Sequence, residues 1–256
     1  MMDLTRPIFR LAKRLLPQPI LTSIRHARDV LSAHPSRSYY ESSDLRELMR
    51  KAFSVLAFNG ISGDYLEFGS WGGRTFALAY EESRRAHFPC KLWSFDSFKG
   101  LPPQEGTEDE YPHWIEGDLS TGLEEFRAIC KQNGIPDDDY IAVPGYYKDT
   151  IGQEDRIGIP LPKEVSLAYI DCDLYSSTKI VLGFLRSRMK HGMILAFDDY
   201  YCYSARTLSG ERRACLEFLQ DDDRFHFSPF AQFGWHGMSF IVEDRALHAS
   251  RQPRIP

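Results

Sequence analysis

Apolar positions along the chain follow two alternating rhythms. Leu45, Leu48, Met49, Ala52, Phe53 and Leu56 recur at three- and four-residue spacing, which predicts a helix over 44–58 with one buried face. Ser43 or Asp44 would cap its start, and Asn59-Gly60 would stop it. Beyond it, short apolar runs predict strands at 65–68, 92–96, 140–143, 167–171, 193–198, 225–227 and 239–242. Between most of them, 75–86, 123–131, 177–190 and 211–220 carry helical spacing. This alternation predicts an α/β domain with a mainly parallel sheet covered by helices on both faces. The stretch 99–114 (KGLPPQEGTEDEYPHW), rich in Pro, Gly and acid, reads as a loop over the site, too irregular for core.

The first 43 residues read as a separate helical arm or lid, and 44–256 as the main domain. Ile8, Leu11 and Leu15 stand at helical spacing, and Leu21, Ile24 and Leu31 resume it after Pro17 and Pro19. Residues 1–40 carry seven Lys/Arg against two Asp, so this segment is +5 and the remainder of the −5 chain is −10. Such a basic amphipathic arm can lie on an anionic membrane surface or pack on the body or on a second copy in a homo-oligomer, and packing is favoured. The tract 34–40 (HPSRSYY) reads as a linker or as a lid lending aromatics to a pocket.

Composition then narrows the class. With 256 residues, 43% hydrophobic and 26% charged, the chain can bury a full core as one large α/β domain. The acidic body argues against a nucleic-acid partner. The five cysteines, Cys90, Cys130, Cys172, Cys202 and Cys215, are scattered without a C-x-x-C, against a disulfide framework or thiolate zinc site. No apolar run reaches the ~20 residues of a membrane span, and a cytoplasmic protein is expected.

Chemistry gathers where predicted strands end. The first closes in Glu67-Phe-Gly69-Ser70-Trp-Gly72-Gly73, and glycines at a strand-to-helix turn let backbone approach a ligand closely. The second ends at Asp96, 23 residues after Gly73, where a carboxylate can accept both ribose hydroxyls of a nucleoside. Capping the next turn is its structural alternative. Glu67 would repel a pyrophosphate and attract a sulfonium, which favours S-adenosylmethionine (SAM) over a dinucleotide. Further on, Ile170-Asp171-Cys172-Asp173-Leu174-Tyr175 and Phe197-Asp198-Asp199-Tyr200 end two runs whose aspartates, Asp171 and Asp198, lie 27 residues apart. One helix fits between, so the strands become neighbours about 4.8 Å apart. Their carboxylates would repel unless they shared a hard cation such as Mg²⁺ or Mn²⁺. Each acid taken singly could instead cap a helix or loop.

EFGSWGG, FDSFKGLP, PGYYKDTI, IDCDLYSST and AFDDYY, in that order over 63–218, resemble the macrocin O-methyltransferase family. The resemblance implies a class I, Rossmann-like methyltransferase fold with a seven-stranded sheet, and methylation of a sugar hydroxyl with SAM and Mg²⁺. It implies that Glu67 and Gly69, with Ser70 and Gly73 in the same turn, line the methionine end of SAM. Asp96 would hold the ribose, Ser97 and Phe98 flank the adenosine, and Gly117-Asp118-Leu119 touch adenine. Asp171, Asp198 and Asp199 would hold the metal, with Asp173 supporting them or making a structural contact.

Asp171, which would also meet SAM, is the expected proton acceptor. Leu174 stands where related catechol-type enzymes carry a lysine, so Lys148, His113 and His236 are the other candidates. Each of these three also has a structural alternative, as a surface ion pair, a solvated loop residue or a turn residue. Two other readings stay open: a glycosyltransferase using Asp171-Cys172-Asp173 to hold a nucleotide-sugar diphosphate through a cation, and a non-catalytic scaffold of the same fold. The arm and the tail from Phe225 match no motif of the family.

Overall fold

Seven strands alternate with helices to form one mixed sheet in the order β3-β2-β1-β4-β5-β7-β6. They are β1 (Asp64–Phe68), β2 (Leu92–Asp96), β3 (Tyr140–Pro144), β4 (Val165–Ile170), β5 (Ile194–Phe197), β6 (Phe225–Phe233) and β7 (Gly237–Asp244). The helices are α1 (Pro35–Asn59), α2 (Arg74–Arg85), α3 (Leu123–Gln132), α4 (Tyr175–Arg186), α5 (Gly210–Asp221) and the short α6 (Arg245–Ala249). This computed structural model describes residues 35–111 and 114–249. The expected arm, up to residue 34, lies outside the described residues, and with it the proposed association between copies. Among the described residues no helix is long and apolar enough to cross a membrane.

Alternation along each strand sorts side chains between two core layers. On one face Leu66, Phe68, Phe95, Ile170 and Leu195 pack with Val181 and Leu185 of α4 and Ala214 and Cys215 of α5. On the other, Tyr65, Leu92, Leu167, Tyr169 and Ile194 pack with Met49 and Phe53 of α1, Phe76 of α2 and Phe126 of α3. β4 is the middle strand of the order and is buried at every position, as a strand covered on both faces must be.

Two differences from the sequence-based expectations have physical causes. Residues 35–43 continue α1, so the tract from Pro35, expected as a linker or a lid segment, is helical, and Ser43-Asp44 is interior to the helix. Proline at the first helical position is compatible with this, and nothing after it breaks the helix until Gly60. β6 is nine residues long where three were expected, because Pro229 beside a register shift interrupts its alternation. On an edge strand such a proline costs no needed ladder bond. β7 runs antiparallel to both β5 and β6, and all other pairs are parallel.

The order of connection reverses between β1 and β4, which opens a crevice at their carboxyl ends. Gly69 sits there at φ +94, and a Cβ on it would lie 2.0 Å from the Asp171 carbonyl oxygen. The Asp171 N–H donates to the Phe68 carbonyl at 2.8 Å, so the two strand tips are in direct contact. Gly60 ends α1 at φ +69, and a Cβ on it would meet nothing within 4 Å. Gly69→Ala should therefore destabilise the protein by about 3 kcal/mol or more through overlap and strain together. Gly60→Ala should cost about 1–2 kcal/mol, from the left-handed backbone alone. Urea denaturation of the two variants checks this, and equal losses would refute the close approach.

Candidate active site

The turn after β1 is built around Asp96. Its Oδ2 accepts the Ser70 N–H at 2.7 Å and its Oδ1 accepts the Phe98 N–H at 2.5 Å, so it ties the ends of β1 and β2 together. The turn-capping role is thus realised, and each oxygen still has acceptor capacity towards the cavity that Asp96 lines. Burial raises the Asp96 pKa. Glu67 lies beneath the turn, 1% exposed and absent from the cavity lining, and accepts from the Tyr65 hydroxyl. Burial pushes its pKa up to about 8, against hydrogen bonds from Tyr65 and Ser70 that lower it. The Ser70 hydroxyl is 2.8 Å from that of Ser94. Gly73, at φ +61, lets the start of α2 close on Ile129, whose Cγ2 would be 3.0 Å from an added Cβ.

The cavity, of about 340 Å³, brings together Gly69, Asp96, Ser97, Leu119, Lys148 and Asp171. The Ser97 hydroxyl donates to the Gly100 carbonyl at 2.8 Å and accepts the Lys99 N–H at 3.0 Å, which shapes this wall. Phe98 turns away, at φ +53, and its buried ring packs 5.4 Å from Phe126. Gly117 and Asp118 are also outside the lining. Gly117 donates to the Leu101 carbonyl and Leu101 donates to the Asp118 carbonyl, and Leu101 and Leu119 on either side of this backbone pairing are among the cavity's apolar lining.

The loop expected over the site is anchored by a residue that its sequence context does not single out. Asp109, 1% exposed, accepts the Ser176 N–H at 2.8 Å and the Ser176 hydroxyl at 2.7 Å, at the start of α4. A carboxylate there also complements the helix dipole. The Ser209 hydroxyl donates to the Glu110 carbonyl at 3.0 Å and fixes the neighbouring residue. His113 lies outside the described residues.

At the ends of β4 and β5 the acids converge. Ligand atoms of Asp171, Asp173 and Asp199 lie within 4.8 Å of one another, and so do those of Asp198, Asp199 and His236. Asp199 belongs to both groups, which joins the three predicted ligands into one cluster and adds Asp173 to it. Burial, then the charges of Asp198, Asp173, Asp199 and Glu211, push the Asp171 pKa well up. Burial and Asp199 do the same to Asp173. Asp198 accepts from the Tyr169 hydroxyl, and the His236 Nδ1 is 2.6 Å from its carbonyl oxygen. A carbonyl can only accept, so that nitrogen carries a proton and His236 acts as a donor orienting the strand tip. It is absent from the cavity lining, whereas Lys148 is exposed at the rim with no described carboxylate in ion-pair range.

These residues fit a hard divalent cation. The donors are carboxylate oxygens, and their mutual repulsion in a buried place is what a dication relieves. Glu211, fully buried in the first turn of α5, is the acid that sequence reasoning missed. One acid in the first turn of a helix carries no signal beyond the helix dipole.

A sheet ordered β3-β2-β1-β4-β5-β7-β6 with β7 alone reversed, a glycine turn after β1 and an acid ending β2 define the class I, Rossmann-like methyltransferase fold. The model of the macrocin O-methyltransferase family (TylF) matches residues 28–222, and the chain belongs to that family.

Over 155 residues it is 32% identical to the 8-demethyl-8-(2,3-dimethoxy-alpha-L-rhamnosyl)-tetracenomycin-C 4'-O-methyltransferase of Streptomyces olivaceus, covering 57% of this chain and 56% of that protein. Over 170 residues it is 29% identical to the mycinamicin III 3''-O-methyltransferase of Micromonospora griseorubida, covering 60% of this chain and 62% of that one. The chain thus spans about three-fifths of the length of these two relatives. The crystal structure of the calicheamicin methyltransferase CalS11 shares the fold at a TM-score of 0.61 and 19% identity, over 92% of this chain and 90% of that one. Family membership removes the basis for the glycosyltransferase alternative.

The buried Glu67 generates a prediction with a definite sign. Its folded pKa of about 8 exceeds its ordinary value of 4.5, so the folded state binds the extra proton. Its penalty is absent below the ordinary value, grows as pH rises towards the folded one, and is constant above that. Glu67→Gln keeps an acceptor for Tyr65 and removes the penalty. Without cofactor, its Tm should exceed the parent's by about 3 °C or more at pH 8.5 and match it near pH 5. A Tm difference independent of pH would refute the assignment.

Proposed function

We propose that the chain transfers a methyl group from SAM to a hydroxyl on the sugar of a glycosylated natural product, assisted by Mg²⁺ or Mn²⁺. The observation that carries this reading is that Asp171 and Asp173, after β4, line a cavity with Gly69 and Asp96 and meet Asp199, after β5. The two relatives support the acceptor class. One is named for a rhamnosyl-bearing tetracenomycin and the other for mycinamicin III, and both are named as O-methyltransferases.

In this reading Asp96 accepts the ribose hydroxyls with its remaining lone pairs, and Leu101 and Leu119 enclose the adenine. Glu67, below the turn, does not touch SAM, and the approach of the cationic sulfonium would favour its ionised form over the protonated form that burial favours. Asp171, Asp173 and Asp199 would hold the cation, with Asp198, whose tip is oriented by Tyr169 and His236, beside them. The cation, when bound, supplies positive charge that eases deprotonation of the acceptor hydroxyl and fixes its position.

Asp171 lines the cavity and takes the hydroxyl proton. The acceptor oxygen forms its bond to the methyl carbon as the carbon–sulfur bond breaks, and S-adenosylhomocysteine leaves. Positioning does most of the work, because the sulfonium is already a good leaving group. Lys148, at the cavity rim, is the alternative proton acceptor, reached only as the free amine.

The test uses SAM labelled in its methyl group with a panel of rhamnosylated macrolides and aromatic polyketides. Label should enter a sugar O-methyl group, and excess EDTA should abolish transfer. Asp198→Asn should reduce turnover about 100-fold while S-adenosylhomocysteine affinity stays within about threefold. Transfer that persists undiminished in EDTA would refute the metal, and failure to bind S-adenosylhomocysteine would refute methyl transfer altogether.

A further inference from the structure

Two loops carry the acids of the site, and one buried side chain holds both. Glu211 Oε1 accepts the N–H of Cys172 at 2.9 Å and that of Asp173 at 3.3 Å, and its Oε2 accepts the N–H of Asp199 at 3.0 Å. Its two oxygens therefore bracket the tip of β4 and the tip of β5. Gly210, at φ +63, makes this approach feasible, because an added Cβ would lie 3.1 Å from the Cys202 carbonyl and 3.3 Å from that of Asp173. The Asp173 backbone is itself held at φ +62, a left-handed conformation that a non-glycine residue adopts at a cost.

A fifth carboxylate among four is a costly way to brace two loops. Burial is its largest penalty, and repulsion from Asp199 and Asp198 adds to it. An amide could not do the same work: N–H donors arrive at both oxygens, and a carboxyl group has acceptor capacity on each. An amide would turn its NH₂ towards a donor on one tip or the other.

We propose that Glu211 is a positioning residue that sets the separation of the β4 and β5 tips, and so tunes the affinity of the cation site formed by Asp171, Asp173, Asp198 and Asp199. It acts through the peptide groups of the loops and contacts neither substrate. The inference rests on the proposed metal dependence and deepens it by naming the device that holds the ligands at binding distance.

The test compares parent, Glu211→Gln and Glu211→Asp by Mn²⁺ titration followed by electron paramagnetic resonance, with S-adenosylhomocysteine affinity measured calorimetrically on the same samples. Glu211→Gln should weaken Mn²⁺ binding by about 10–100-fold and leave S-adenosylhomocysteine affinity within about twofold. Its turnover should recover towards the parent's as Mn²⁺ is raised. Glu211→Asp, which keeps both oxygens on a shorter stem, should fall between parent and Gln and covers the case in which the amide variant does not fold. Equal Mn²⁺ affinity in parent and a folded variant would overturn the assignment. A parallel loss of S-adenosylhomocysteine binding would also overturn it, since that marks general loss of structure. A parent that binds no Mn²⁺ would instead bring down the metal reading, and this inference with it.

Discussion

Crowding of like charges at the carboxyl ends of β4 and β5 is the constraint around which this molecule is arranged. Asp171, Asp173, Asp198, Asp199 and Glu211 meet there, and burial and mutual repulsion favour the protonated forms of Asp171, Asp173 and Glu211. A fold stable by only about 5–15 kcal/mol tolerates such a cluster only where the surroundings are strongly held. Here the surroundings are the fully buried central strand and two core layers, together with backbone N–H groups and the Tyr169 hydroxyl directed at the carboxylates. The same arrangement that costs stability prepares a place for positive charge.

How far this was legible in the sequence follows from the range of each signal. Strand ends, glycine turns and the Asp171 and Asp198 spacing are local, and the hydrophobic rhythm placed them on the correct elements. Their convergence at one edge of the sheet then follows from connection rules. Glu211 was not legible because its partners are backbone groups 12, 38 and 39 residues away. Phe98 stands two residues after Asp96 in sequence, yet its left-handed backbone sends the ring into the core. β6 is longer than its pattern suggests because an edge strand tolerates a proline and a register shift that erase its alternation.

The acidic loop shows that composition alone can mislead about burial. Asp109 lies in a stretch rich in Pro, Gly and charge, yet it is among the most buried acids of the chain. Its carboxylate finishes the first turn of α4, the helix that follows the DxD segment. The loop and the acidic tips are thus fastened to neighbouring helix starts, Asp109 at α4 and Glu211 at α5. Closure over the cavity and integrity of the acid cluster therefore depend on the same two helix termini.

Reversal of β7 has a structural corollary. In a wholly parallel sheet, the connection entering a strand lies at the edge remote from the ligand. Because β7 is inverted, the β6–β7 turn at 234–236 returns to the reactive edge, where His236 meets Asp198. That turn lies downstream of the stretch shared with the family model, which ends at residue 222. A change in this turn would therefore reach the Asp198 tip through His236 while leaving the parallel strands themselves in place.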